Sequence, residues 1–557
     1  MKKIFSFIFI AATAATTISS CRKADPVVRK SQNEMSDIYA TTPEKGRERL
    51  FDARYSAAKD TIYFDIPWFS PQDSENEVDL SQIILRATIP SDAIISPALG
   101  SPMDLRNPVP LSITAGDGSV ANYVVVGRKV GNTTISAAAI EFNNNGTNEM
   151  VEAVIQENEI LFYVLPGTDV SNAAFTYAIN RHSTANIAYG SSIDLSSDVP
   201  FIVTGVDGVA KTYTLKAKEP VKLTYGAGIN RSLWNKSASE LGFTDNMEVC
   251  LAVSGDHLIL TRRTNPSKYS VFNRFTGTYL QDMKYPFSGL SFQVVNDNEG
   301  HLLAASWAPK NASFIVYRYN DALDAAPVKL IEWVNNNPAG ITGDGGVGRR
   351  VNVYGDINGD AVITAPAGQS DVIMRWRIVG GTLVSNTPEV VVYKSLAGGA
   401  ATKMGYYAEA QPVSAAANGD YFINYQFEVA YVNGATNERS AALTLGWPVV
   451  FNMPTAYASF NGAKYLAIVK YIDTYSLNKV QTSLYDVTSP SNLGMAPSNP
   501  AYPDFNIFNS GVQTGTTNGN GTADIAVGYS NNGERMQVYT LLTNGGVAAH
   551  EFTNYAK

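Results

Sequence analysis

Cysteine is nearly absent from this chain of 557 residues: Cys21 and Cys250 are the only two. That excludes a disulfide-stapled scaffold and a thiolate-rich metal site, so stability has to come from buried cores. Cys250 lies in the apolar run Glu248-Val249-Cys250-Leu251-Ala252-Val253, where a thiol is expected to be buried and inert. Histidine is scarce too. His182, His257, His301 and His550 show no metal-ligand spacing, so no metal, cofactor or catalytic triad is expected. Charge is low at 17% and mildly acidic, with 42 Lys and Arg against 50 Asp and Glu, a net charge of −8. This argues against nucleic acid as a partner. Beyond the start of the chain no run of 18 apolar residues occurs, so no transmembrane helix is expected. No Gly-x-Ser-x-Gly, phosphate-binding loop or dinucleotide fingerprint is expected, and no catalytic residue is assigned. The acids Asp371, Glu389, Glu428 and Glu438 cannot be paired from sequence alone. An enzyme is not expected, a glycan-active one being the alternative within that class.

What is present begins with the first residues. Lys2 and Lys3 precede the apolar run Ile4 to Ile10, small residues follow, and Ile18-Ser19-Ser20 stands before Cys21. The segment resembles a bacterial lipoprotein signal, with Ile18 where leucine is usual. The resemblance implies removal of residues 1–20, a net charge of −10 for the remainder, and an acylated Cys21 anchored in outer-membrane lipid. Residues 21–45 are polar, carry Pro26 and Pro43 and show no period, which reads as a flexible tether.

A duplication follows. Gly100 to Lys129 aligns without gaps on Gly190 to Glu219, with ten identities in thirty positions. Ser101, Asp104, Leu105, Val109, Pro110, Thr114, Asp117, Gly118 and Tyr123 recur ninety residues later. Each copy reads as a strand, an Asp-Gly hairpin turn and a returning strand. Upstream, Ile62 to Pro67 resembles Ile160 to Pro166. Two immunoglobulin-like β-sandwiches are expected, over 46–131 and 132–220. The repeated Asp and Tyr read as turn former and core aromatic.

From 221 to 557 a longer repeat takes over. A polar-Gly turn before a strand recurs at Gly255, Gly300, Gly359, Gly419, Gly462 and Gly521, spaced 45, 59, 60, 43 and 59 residues apart. An apolar strand with an aromatic follows in five copies, at Phe272, Tyr317, Trp376, Tyr485 and Tyr539, the fourth unit lacking a clear one. Strand, turn, strand, aromatic strand, turn, strand is a four-stranded blade, so the fold class is all-β with a six-bladed β-propeller. Seven blades would result if Leu223 to Phe243 were more than a lead-in. Asp356-Ile357-Asn358-Gly359-Asp360 looks like the opening of a calcium loop, but Ala361 and Ala367 stand where Gly and Glu are needed, so it reads as a turn.

This layout of signal with Cys21, tandem repeat and β-rich head resembles surface lipoproteins of the Bacteroidetes that belong to polysaccharide-utilisation systems. The resemblance implies a lipid-anchored protein facing the cell exterior that captures a polysaccharide or oligosaccharide for an outer-membrane transporter complex. It brings no binding residues with it. A protein-binding scaffold or adhesin is the alternative. Candidate sugar contacts are aromatics at strand–loop junctions: Trp307 before Ala308-Pro309-Lys310-Asn311, Trp447 before Pro448, and the pair Tyr406-Tyr407. Trp376 sits in the repeated strand position and is read as core.

Overall fold

The computed structural model describes residues 28–44, 48–144, 147–396, 403–425, 428–443, 454–472, 476–519 and 522–556. Cys21, Trp447 and Pro448 lie outside the described residues. The chain is all-β and divides into two compact units. One takes the chain to Asn143 and from Met150 to Lys218; the other takes Asn144–Glu149 and Glu219–Lys557. No helix of the described residues is long and apolar enough to cross a membrane.

The first unit contains the duplication. Val109–Thr114 pairs antiparallel with Val120–Val130, and Val199–Thr204 with Ala210–Lys218. Gly118 and Gly208 take positive φ (92° and 78°) between them, as an Asp-Gly hairpin requires. Asp117 accepts from the Ser119 amide and Asp207 from the Val209 amide. Each copy also pairs its early strand in parallel with its last one, Thr61–Pro67 with Val120–Val130 and Glu159–Tyr163 with Ala210–Lys218.

Two expectations are corrected here. The stretch read as tether holds the strand Asp37–Thr41, which pairs on both sides, with Leu50–Tyr55 and Ile83–Thr88. The apolar pair Ile38 and Ala40, both fully buried, alternates with polar neighbours over too few residues to stand out. The strands of the first copy also form one continuous eight-stranded sheet, whereas the second copy has separate sheets of four and five strands.

Besides a short pair, Val221–Lys222 with Tyr555–Ala556, the second unit contains six antiparallel sheets among the described residues: five are meanders of four strands, two of these with a fifth short strand attached, and the sixth is a three-strand meander completed by a strand from the lead-in. Their first strands are Glu248–Ser254, Ser291–Asn296, Asn352–Gly355, Glu409–Pro412, Thr455–Phe460 and Ala523–Ser530. These neighbour one another in a closed ring, the sixth lying beside the first. Inner strands are packed between sheets on both faces, so Glu248–Ser254 is buried throughout, while the outer strand Thr278–Met283 is exposed along five of its six residues. The lead-in supplies Asn230–Ser237, which pairs with Gly546–Thr553 as the fourth strand of the sixth sheet and adds no seventh.

Five of the six expected Gly turns join first to second strands. The sixth, Asn520-Gly521, lies outside the described residues, and in the sixth sheet another turn joins the first strand, Ala523–Ser530, to the second. That turn is Asn531–Gly533, where Asn532 and Gly533 have positive φ. Tyr539 accordingly sits on a second strand, Arg535–Leu542, not a third. The missing aromatic of the fourth sheet is Tyr431, on Glu428–Asn433. Trp376 is core as expected: its indole stacks on Phe314 at 5.1 Å and donates to the Asn386 carbonyl at 2.9 Å.

Candidate functional site

An antiparallel meander sends alternate connections to opposite edges of its sheet. In the ring, the turns between first and second strands therefore share one rim. Entries into first strands and exits from second strands share the other. Trp307 follows the second strand Leu302–Ser306, and Arg263 follows the second strand His257–Arg262. Arg349 precedes the first strand Asn352–Gly355, and Tyr406-Tyr407 precede Glu409–Pro412. Chain topology alone thus brings these residues, from four sheets, to one rim.

They meet around Arg349. Its guanidinium carbon lies 4.6 Å from the Trp307 ring centroid, 4.9 Å from Tyr406, 5.4 Å from Tyr407 and 5.4 Å from Phe292. The Arg263 guanidinium lies 4.3 Å from Phe292 on its own account. Three of the four aromatic candidates are therefore brought together, and the fourth, Trp447, is outside the described residues. Tyr406 is the most open, 42% exposed, while Trp307 and Tyr407 are half-buried. Trp307 is a wall of the cluster. Its six-membered ring lies against Gly346, where a Cβ would come within 2.1 Å of Cη2, and Phe292 meets it edge-on at 5.9 Å.

The loop carrying Arg349 is fixed from several directions. Ala308 and Val347 exchange backbone hydrogen bonds at 2.9 Å. The buried Asn335 amide donates to the Ala308 and Gly345 carbonyls, and Lys310 Nζ donates to the carbonyls of Ile341 and Gly343 at 2.7 and 2.6 Å. This loop, Gly343-Asp344-Gly345-Gly346-Val347-Gly348, has the Gly-x-Gly-x-x-Gly spacing of a dinucleotide fingerprint. It runs between two strands with no helix after it, which removes that reading. Gly346 serves the approach of Trp307 instead.

Two Arg-Arg doublets place one side chain inward and one toward this cluster. Arg262 donates to the Gly242 and Leu241 carbonyls beside the buried Glu248, while Arg263 faces Phe292. Arg350 crosses the ring to Asp524 at 2.6 Å and to Glu409 at 3.4 Å, and donates to the Ala523 carbonyl. Arg349 turns outward. The sequence reading passed over all four arginines; the doublets in a chain of low charge were the available signal. Burial pushes the Glu409 carboxyl up to about 7, against the pull of Arg350, and Thr455 donates its backbone N–H to Glu409 at 2.9 Å. Burial lowers the pKa of the Arg263 guanidinium; Tyr407 acts against that and the like charge of Arg349 adds to it.

A separate cavity of about 500 Å³ occupies the middle of the ring. Gln293, Asn352, Glu409, Gln411 and Asp524 line it within the ring, and Asn298, Tyr354, Ser459 and Tyr529 line it toward the rim of the turns. Neither Arg349 nor any of the five residues gathered with it lines it.

Among the described residues one group could hold a metal ion: Asp297, His301 and Asp356, on neighbouring sheets. Its donors are already engaged. Asp297 accepts from the amides of Glu299, His301 and Ile357 and meets His301 Nδ1 at 3.0 Å, which latches the second sheet to the third. Asp356 accepts from the Asn358 amide inside the expected turn.

The family described as a domain of unknown function, DUF8500, matches residues 232–548, more than half of the chain. The chain belongs to the DUF8500 family. The DUF8500 match spans the six sheets from the closing strand to the start of the last ring strand. A second family, the domain of unknown function DUF5018, matches residues 16–127. Among solved structures, the chain is similar to a DUF4623 family protein from Bacteroides eggerthii DSM 20697, with 17% identity, a TM-score of 0.45, and coverage of 76% of this chain and 98% of that one. It is also similar to a protein described as secreted from Bacteroides fragilis NCTC 9343, with 13% identity, a TM-score of 0.13, and coverage of 16% and 95%. No curated protein matches.

Proposed function

We propose that this protein captures an extracellular polysaccharide at the Arg349 cluster without cleaving it. In this reading it is lipid-anchored at the outer membrane through Cys21 and faces the cell exterior. The duplicated domains act as immunoglobulin-like spacers, and the six sheets form a six-bladed propeller head that delivers glycan to a transporter complex.

The observation that carries the reading is the convergence of Trp307, Tyr406 and Tyr407 on one rim, around a guanidinium. Flat aromatic faces pack against the C–H faces of sugar rings, and a fixed donor beside them hydrogen-bonds hydroxyls. Tyr406 is open enough to be touched, and Trp307 fixes Arg349 beside it.

Affinity electrophoresis through gels containing plant, fungal and host polysaccharides tests this, with analysis of released products alongside. Retardation by one polymer without cleavage, lost in Tyr406→Ala and weakened in Trp307→Ala, is the expected result. Retardation that survives both substitutions places the site elsewhere. Retardation with released oligosaccharides makes the protein an enzyme, and binding of no polymer at all overturns the reading in favour of a protein partner.

A further inference from the structure

Most of the arginines that this fold packs between its strands and sheets are given counter-charges; the fully buried Arg274 is met instead by the Gln537 side chain and the Tyr529 carbonyl. Arg350 has Asp524 and Glu409, Arg262 has Glu248, and Arg375 and Arg377 share Glu389. Arg263 and Arg349, at the rim, have among the described residues neither a counter-charge nor a hydrogen-bond acceptor. Both lie against Phe292, at 4.3 and 5.4 Å, so the two guanidinium carbons are at most 9.7 Å apart and each feels the other's like charge. Among the described residues neither forms an ion pair, and the Nε of each is buried with no hydrogen-bond partner. Ring contacts satisfy the face of a guanidinium; they leave its in-plane N–H donors unused. The pinned loop keeps Arg349 from swinging away to find a partner.

We infer that the Arg349 cluster selects acidic polysaccharides, with a carboxylate or sulfate of the sugar received by Arg263 and Arg349 while the sugar ring rests on Tyr406. An anion between the two guanidiniums relieves their repulsion and takes the planar, two-donor contacts that arginine offers such groups. The acidic chain as a whole, with a net charge of −8, does not attract polyanions unspecifically, so the recognition is local. This inference rests on the polysaccharide reading above.

The test compares the full chain with polygalacturonate and its methyl ester, and with dextran sulfate and dextran. Binding to polygalacturonate identifies a carboxylate, and binding to dextran sulfate a sulfate. Expected is binding to at least one acidic polymer that falls at least about tenfold on esterification or removal of sulfate, equivalent to one charge-assisted hydrogen bond. Arg263→Gln and Arg349→Gln are expected to show the same loss, and added salt is expected to weaken binding. The ligand pairs leave the protein untouched, so the comparison stands even if a variant misfolds. Equal binding of acidic and neutral partners, or binding of neutral polymers alone, overturns the acidic selection and leaves the polysaccharide reading standing. Binding of none of these polymers, nor of any in the wider panel, overturns both, and capture of polyglutamate in their place points to an acidic protein.

Discussion

Arg349 and Arg350 are adjacent in the chain and opposite in circumstance. Arg350 is enclosed with two carboxylates, Asp524 and Glu409. One guanidinium cannot fully offset both in a buried site, and burial raises Glu409 to about 7, above the ordinary 4.5. The folded state therefore holds a proton on Glu409 that the unfolded chain releases. Stability from this group is complete below about pH 4.5 and falls as pH rises to about 7. Glu409→Gln removes that slope: the difference in melting temperature between variant and wild type is expected to grow in the variant's favour from pH 4.5 to pH 7. A difference that stays constant with pH would show that Glu409 does not titrate there. At this scale the aromatic half of the site was legible, because Trp307 and Tyr406-Tyr407 mark strand–loop junctions. The arginine half was not. Nothing in an Arg-Arg doublet says which side chain turns inward until the strand's register and the ring's centre are known.

At the scale of elements, the Gly turns were legible because tight connections between antiparallel strands favour glycine and asparagine, which take positive φ at Gly255, Gly300 and Asn461-Gly462 though not at Gly359 or Gly419. The same rule misled once. Asn520-Gly521 and Asn531-Asn532-Gly533 carry similar signals eleven residues apart, and local chemistry does not tell which of them joins the first strand of the sixth sheet to the second. The strand Asp37–Thr41 was hidden for a related reason, since two buried side chains are too few to show a period. The strand Asn230–Ser237 was open to two readings because its partners, Gly546–Thr553, come more than three hundred residues later. It is fastened by Trp234, whose Nε1 donates to the Arg274 carbonyl at 2.9 Å and whose ring meets Tyr539. Trp234→Ala is expected to cost about 3 kcal/mol, measured as a lower urea midpoint. An unchanged midpoint would mean that the closing strand contributes little to holding the ring.

For the molecule as a whole, ring closure makes the sheets depend on one another. Cys250 reports on this. It is fully buried on the first inner strand, its thiol donates to the Val294 carbonyl of the second at 3.1 Å, and burial raises its pKa well above the ordinary range. In a Cys21→Ser chain, this thiol is expected to resist a thiol reagent under native conditions and to react at the rate of global unfolding. Fast labelling that is independent of denaturant would mean that neighbouring sheets part locally. The all-β class and the six-fold count follow from patterns repeated along the chain, and those are what a sequence displays most openly. The rim cluster and the cavity arise from residues on different sheets, and only the packing of sheet beside sheet brings them together.

The pairing of Asn230–Ser237 with Gly546–Thr553 has a consequence in time as well as in space. The first ring strand leaves the ribosome some three hundred residues before its partner. Until then the sixth sheet does not exist, and the inner strands at the gap show water the apolar faces they later bury. A newly made chain must be kept apart from its neighbours until Gly546–Thr553 has been made, and the ring folds shut only when that strand arrives.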